Sequence, residues 1–139
     1  MSHINYASTI YDGCSKDTFK QLNAAHRRAV KQLTNTPGQP TDEKFKLLNI
    51  LPLNSQLQVN KTTLIQRIYY NLTPDYLNNF IKKPPDRYNS KNLILPLPRI
   101  DLFKTSLAFS GSYFWNLLPP DLKDIKSTKT FKKLLIKLM

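Results

Sequence analysis

Apolar residues recur every three or four positions along most of this chain, with charged and polar residues between them, as in amphipathic helices. The first clear example follows Ser15, which suits a helix N-cap, and places Asp17 in the first turn. The segment NTPGQP at positions 35–40 should end this helix, because it combines proline with glycine. The predicted inward face contains Phe19, Leu22, Ala25, Ala29, Val30 and Leu33.

The same spacing predicts four more helices. Thr41 caps a short helix with an acidic first turn, and a longer helix should span positions 54–72. Thr73 and Pro74 restart a helix, since proline is favoured at the first helical position, and Ser127 caps the last one. The faces expected to point inward are Leu57, Leu64, Ile65, Ile68, Tyr69 and Leu72, then Tyr76, Leu77, Phe80 and Ile81, and finally Phe131, Leu134, Leu135 and Leu138.

The hydrophobic period changes to two in NLILPLPRI, where Leu93, Leu95 and Leu97 share one side. Interleaved prolines restrict such a segment to an extended piece or an edge strand. The fold class predicted is therefore mainly α: a small helical domain with one or two short extended segments in the C-terminal third. We expect residues 1–139 to form a single domain, with 1–13 as the truncated end of an upstream helix and 83–92 as a polar loop.

The charge of the chain indicates which class of partner it binds. The formal net charge is +12, from 21 basic and 9 acidic residues. Such an excess indicates a polyanionic partner, RNA or DNA first and an anionic membrane surface second, unless the lysines only keep the chain soluble. No stretch approaches the ~18 apolar residues of a membrane span, and no membrane partner is expected. A single cysteine, Cys14, excludes an internal disulfide and favours an intracellular location, cytoplasmic or nuclear.

The residues that enzymes use are sparse. One cysteine and two distant histidines, His3 and His26, are too few for a Cys/His zinc site, which needs three or four ligands. No glycine-rich phosphate loop is present. The adjacent carboxylates Asp42 and Glu43 lie where a helix N-terminus favours negative charge. We therefore expect no metal, no cofactor and no catalytic centre.

One stretch, SLAFSGSYFWNLLPPDLK at positions 106–123, concentrates aromatic and rigid residues. We interpret it as a motif that locks the last helices onto the core, with Gly111 either relieving a crowded approach or permitting positive φ. Asn116 is expected to hydrogen-bond the turn into Pro119. The alternative is that Trp115 or Tyr113 stacks on an exposed base, which would need an exposed ring.

Three blocks of the chain carry residues in an order known from one family. In the first block, Tyr-Ala and Cys-Ser precede a basic helix. In the second, a Leu-Pro corner precedes Pro-x-Tyr-Leu. In the last block, Pro-Arg is followed by Gly-x-x-x-Trp-Asn-x-Leu-Pro and then by Ser-x-x-x-Phe-Lys. These blocks resemble the region that follows the polymerase core in LINE-type (non-LTR, jockey-like) retrotransposon reverse transcriptases. Tyr11 and Ile50 stand where that family usually has tryptophan. The matching residues are Tyr6, Ala7, Cys14, Ser15, Leu22, Arg28, Ala29 and Lys31, then Leu51, Pro52, Leu53, Pro74, Tyr76 and Leu77, and finally Pro98, Arg99, Gly111, Trp115, Asn116, Leu118, Pro119, Ser127, Phe131 and Lys132.

The resemblance implies a nucleic-acid setting without an activity of this chain, because the family's polymerase and endonuclease domains lie upstream of the matching region. We expect a non-catalytic accessory C-terminal domain or fragment that contacts RNA or DNA non-specifically, with the reverse transcriptase core of the parent element as a second partner. The candidate nucleic-acid-binding residues are Arg27, Arg28, Lys31, Arg67, Lys82, Lys83, Arg87, Arg99, Lys129, Lys132, Lys133 and Lys137.

Two alternatives stay open. One is a protein-interaction or scaffold module, with an exposed apolar patch along Ile4, Ala7, Ile10 and Tyr11. The other is a relic of an element that still folds but is not used. The oligomeric state is not indicated by the sequence.

Overall fold

Helices dominate the computed structural model, which describes residues 8, 13–34, 41–85 and 90–138. The pairing of Lys82 with Ile94 in a single antiparallel bridge is the one β-type contact within these ranges. The predicted mainly α class is confirmed. In chain order the helices are α1 (Lys16–Thr34), α2 (Thr41–Leu47), α3 (Leu53–Tyr69), a 3₁₀ helix (Asp75–Phe80), α4 (Asp101–Lys104), a π-helical turn (Leu107–Gly111), α5 (Ser112–Leu117), α6 (Pro120–Lys123) and α7 (Thr128–Leu138).

The core forms around α3, which packs against α7, α5 and the π-helical turn. At about 100° per residue its eight buried residues extend over an arc of about 240°, so most of the circumference of this central helix is removed from water. Trp115 from α5 and Phe131 from α7 are both fully buried against it. Full burial of side chains of this size contributes about 1.5–3 kcal/mol each. The main cluster comprises Val59, Ile65, Ile68, Ile81, Leu93, Trp115, Leu118, Leu122, Phe131 and Leu135.

Two helices end in the same way, on an asparagine with a left-handed backbone. Asn49 after α2 has φ of 52° and Asn71 after α3 has φ of 54°. In each case the next residue's N–H bonds back five residues, from Ile50 to Phe45 at 3.0 Å and from Leu72 to Arg67 at 2.8 Å. This is the Schellman arrangement, which satisfies carbonyls at a helix end. The predicted end of α3 at position 72 was therefore wrong by three residues.

The first helix begins as predicted, since Ser15 Oγ accepts a hydrogen bond from Thr18 N at 3.2 Å. Its inward face differs from the prediction. Only His26 and Val30 are buried on α1, whereas Leu33 is 68% exposed. The reason is that α1 packs against the short α2, where the His26 ring lies 5.3 Å from that of Phe45. A seven-residue partner covers one patch of a long helix.

The region after α3 is less buried than predicted. Pro74 precedes the 3₁₀ helix as its N-cap, one position before the place expected. Of its predicted inward residues, Leu77 packs on the core and Ile81 is buried, but Tyr76 is 68% and Phe80 46% exposed. A short helix on the surface reaches the core through few side chains.

The predicted alternation of the leucines near position 95 was wrong. Leu93 is buried, but Leu95 is 37% and Leu97 92% exposed, and helical structure resumes only at Asp101. Pro96 and Pro98 have no N–H to donate, so pairing stops after the Ile94 bridge.

The last helix starts after Ser127, as predicted, and Ser127 O accepts from Phe131 N at 2.9 Å. Phe131 and Leu135 are buried, while Leu134 and Leu138 are 37% and 61% exposed, so only two of the four residues predicted to point inward do so.

Several sequence predictions fall largely outside the described residues. Residues 1–7 and 9–12 of the predicted upstream helix end lie there, as do the 35–40 break and Arg87. Residues 83–85 and 90–92 of the predicted polar loop are non-helical. Within the described ranges, no helix combines the length and the apolar character needed to cross a membrane.

Candidate nucleic-acid interface

The tryptophan motif fastens a distant extended segment onto the core. Trp115 is fully buried between Tyr69 and Phe131, with ring centroids 5.1 Å and 6.1 Å away. Its indole Nε1 donates to the carbonyl of Lys91 at 2.8 Å. An indole without exposed surface cannot stack on a base, so the base-stacking alternative fails for Trp115 and stays open for Tyr113, which is 46% exposed. The core-locking interpretation is supported.

Asn116 has a different partner from the one predicted. Its Oδ1 accepts from Leu93 N at 2.7 Å, and its Nδ2 donates to Leu93 O at 2.9 Å. The side-chain amide therefore satisfies both backbone groups of a buried residue, as a neighbouring strand would. The expected bond to the turn before Pro119 was wrong, because Asn116 faces the extended segment.

Lys123 adds a further contact between the motif and the extended segment. Its ammonium is buried and donates to Asn92 Oδ1 at 2.8 Å and to the carbonyl of Asn116 at 3.0 Å. Burial lowers the pKa of Lys123, because a low-dielectric environment penalises the charged form. Together, the contacts of Trp115, Asn116 and Lys123 with residues 91–93 form what we call the latch.

Gly111 is required in the motif because a larger side chain would not fit at this position. A Cβ on Gly111 would lie 2.8 Å from Ile65 Cγ1 and 2.9 Å from Ile65 Cδ1. Its φ of −65° is ordinary helical backbone, so a crowded approach, and not positive φ, accounts for glycine here. Pro119 precedes α6 as its N-cap, Leu118 is buried in the core, and Pro98 is half-buried. These motif residues position elements and carry no reactive group.

The clearest candidate binding surface is a row of cations on α7. Lys129, Lys133 and Lys137 are exposed and spaced four residues apart. At about 100° per residue they fall within an arc of about 80°, opposite the buried Phe131 and Leu135, and they extend over about 12 Å. We call these three residues the lysine stripe. Lys132 lies beside it and is half-buried.

The lysine stripe is uncompensated within the described part of the chain. Helix α7 contains no acidic residue, and none of the ion pairs found between described residues uses its lysines. Like charges four residues apart destabilise a helix by about 0.2–0.5 kcal/mol per pair. A polyanion placed along the stripe would replace that repulsion with attraction.

The other candidate residues lie on other elements. Arg27, Arg28 and Lys31 are exposed on α1, and Arg27 Nη2 lies 3.5 Å from Asp42 Oδ1. Arg67, Lys82 and Arg99 are exposed on α3, at the bridge and before α4. Lys83 Nζ donates to Tyr69 O at 2.7 Å and lies 5.0 Å from the centroid of the Tyr69 ring. It thereby satisfies a carbonyl at the C-terminus of α3. The structure thus groups the α7 lysines on one face and assigns Arg27 and Lys83 intramolecular contacts.

A cleft of about 350 Å³, which the sequence did not suggest, lies between α2, the corner at residues 50–52 and α7. Phe45, Ile50, Leu51, Pro52 and Ile136 provide apolar walls. The polar lining consists of Asp42, Lys46, Asn49 and Ser55. Eight of the nine described lining residues fall within positions 42–55, and the ninth, Ile136, comes from α7, so no single local motif marks the whole cleft.

Comparison with known proteins finds no matching family model, curated protein or solved structure. Within the described residues, no three His, Cys, Asp or Glu side chains are grouped as a metal site requires.

Proposed function

We propose that this chain is a non-catalytic accessory domain of the kind that follows the polymerase core in LINE-type reverse transcriptases, and that it binds RNA or DNA without sequence specificity. The lysine stripe is the observation that carries the proposal. Three cations that form no ion pair with another described residue lie in line on the face of α7 opposite its buried Phe131 and Leu135. Contacts of this type hold phosphates and do not read bases.

The test is the salt dependence of binding to single-stranded RNA and duplex DNA. The variant Lys133→Gln/Lys137→Gln removes two stripe charges, and glutamine retains helix propensity. Its matched control is Lys16→Gln/Lys20→Gln, a pair with the same spacing on the exposed face of α1. Each phosphate contact contributes about 0.7 to the log–log slope for single strands and about 0.9 for duplex DNA.

We expect the stripe variant to lower the slope by about 1.4 on RNA and about 1.8 on DNA, and the control to change it little. Equal changes in both variants would mean that binding reflects net charge alone. Absence of binding at physiological salt would refute the proposal.

A second function, docking of the parent polymerase core, is favoured by a separate observation. The segment around α4 exposes Leu97 by 92%, Ile100 by 64% and Leu102 by 70%. Soluble chains seldom leave neighbouring apolar side chains so accessible. The patch first expected at Ile4 to Tyr11 lies outside the described residues.

This second function predicts a complex between the chain and a LINE-type polymerase core that lacks the corresponding region, measured by light scattering. Leu97→Gln/Leu102→Gln should abolish the complex without changing RNA binding. If no complex forms with the unaltered chain, polymerase docking is refuted.

A further inference from the structure

The cleft described above adjoins the lysine stripe. Ile136 forms one wall, and it follows Lys132 by four positions and Lys133 by three. Residues three and four apart on a helix are surface neighbours, so both lysines flank that wall. Lys46, exposed on α2, lines the cleft from another side. An apolar recess therefore opens between cationic groups.

The size and lining of the cleft suit a planar, partly polar ligand. A volume of about 350 Å³ is at the lower end for small-molecule sites, which combine apolar walls with a few polar groups. Ile50, Pro52 and Ile136 can cover the faces of a ring. The side chains of Asn49 and Ser55 line the same space and make no hydrogen bond to another described residue.

We propose that this cleft receives one unpaired base of a single-stranded nucleic acid whose phosphates lie along the lysine stripe. The inference rests on the proposed function and makes it more specific, since it restricts the ligand to a single strand. A base paired in a duplex would have to leave its helix at an energetic cost before it could enter the cleft. Charge complementarity favours this occupant over an apolar side chain of a protein. The phosphates on either side of the base meet Lys133 and Lys46, and the base edge meets the amide of Asn49.

The polar lining also indicates a preference among bases. Asp42 provides a carboxylate that accepts hydrogen bonds, and its partner Arg27, 3.5 Å away, offsets its charge. A carboxylate accepts from an exocyclic amine and repels a carbonyl oxygen. Adenine and cytosine should therefore be preferred over uracil or thymine at the position that enters the cleft.

The experiment uses a single-stranded oligonucleotide that carries 2-aminopurine at one position, and a duplex of the same sequence. Two variants alter the cleft without altering charge: Ser55→Leu fills it, and Ile136→Gln makes a wall polar at a position already 37% exposed. Asn54→Leu is the matched control, since it adds the same side chain at the neighbouring position of α3, which lines a different cleft.

We expect the chain to prefer the single strand about tenfold and to raise 2-aminopurine emission as the base leaves its stacked neighbours. Ser55→Leu and Ile136→Gln should each remove the emission change and most of the preference, while Asn54→Leu keeps both. Circular dichroism identifies any variant that fails to fold, and Ile136→Gln then decides, because its position is solvent-accessible.

Three outcomes separate the claims. Binding of both strands with equal affinity and no emission change refutes the cleft proposal and leaves the lysine stripe standing. Binding that the cleft variants do not alter has the same meaning. No binding of either strand refutes the proposed function itself.

Discussion

Replacement of Asn116 by alanine tests whether the latch holds the extended segment. The change removes both hydrogen bonds to the backbone of Leu93, at 2.7 Å and 2.9 Å, and leaves that residue, which is 4% exposed, with an unpaired N–H and C=O. Each buried unpaired group costs about 1–3 kcal/mol. Asn116 is half-buried, so water can enter its place in part, and we expect a total loss of about 2–4 kcal/mol.

A loss of this size is a large share of the ~5–15 kcal/mol that stabilises a typical domain. At about 3–4 °C per kcal/mol for a chain of this length, Tm should fall by roughly 6–16 °C. Urea unfolding gives the free energy directly, and hydrogen exchange should show lost protection at the Leu93 amide. The control is Asn79→Ala, which truncates an exposed asparagine in the 3₁₀ helix. If Asn116→Ala and Asn79→Ala unfold within 0.5 kcal/mol of each other, a margin typical of exposed substitutions, the two bonds contribute nothing net and the reasoning is wrong.

Two further predictions concern groups that the core constrains. Burial lowers the pKa of His26 below 6.5, so the unfolded chain binds the proton more readily; stability should be complete above that pH and fall as the pH drops below it, and His26→Phe should flatten this acid limb in urea titrations. Failure of His26→Phe to change the limb would assign it to other groups. Gly111→Ala should lose about 1–3 kcal/mol to overpacking against Ile65 and regain about 1 from helix propensity. Adding Ile65→Val, which removes Cδ1, should recover part of the loss; additive effects in this double variant would contradict the proposed clash.

Helices α1, α2, α3 and α7 were predictable from the sequence, because their periodic apolar residues and the cap at Ser15 act locally. The end of α3 was predicted three residues too late and no end was predicted for α2, although the signal was present in both. In both, asparagine is followed by an apolar residue and, three positions on, by proline: Asn49-Ile50-Leu51-Pro52 and Asn71-Leu72-Thr73-Pro74. Asparagine tolerates the left-handed backbone that a helix end needs. If it had been treated as a helix-ending residue, as glycine usually is, both helix ends would have been predicted.

Burial was predicted less well than helix formation, for a physical reason. Periodicity identifies an apolar stripe but not how much of it a neighbour covers. Leu33 and Leu138 belong to such stripes and are exposed, since α2 is short and α7 buries only Phe131 and Leu135, about one turn apart. Lys123 and Gln66 show the converse, since both are polar and buried. Gln66 donates to the carbonyls of Ile125 and Lys126, and Lys123 donates to Asn92 Oδ1 and to the nearby carbonyl of Asn116.

The candidate site also has one part that could be predicted from the sequence and one part that could not. The spacing of Lys129, Lys133 and Lys137 is visible in the sequence, so the lysine stripe could be foreseen from one helix. Asn116 meets Leu93 across 23 residues of chain, and the cleft joins α2 with α7. Contacts between remote segments depend on the assembled core, which a single sequence does not encode locally.

The latch also defines where the chain can be lengthened. Leu93 is anchored by Asn116, and the helical run that carries Asn116 is held in the core through Trp115, so the backbone between them leaves and re-enters the fold at fixed points. Between those points, Leu97 is 92% exposed. Doubling a flexible loop costs only about 0.6 kcal/mol in closure entropy. A peptide tag or a fluorescent label inserted after Leu97 should therefore report on the folded chain while leaving its core intact.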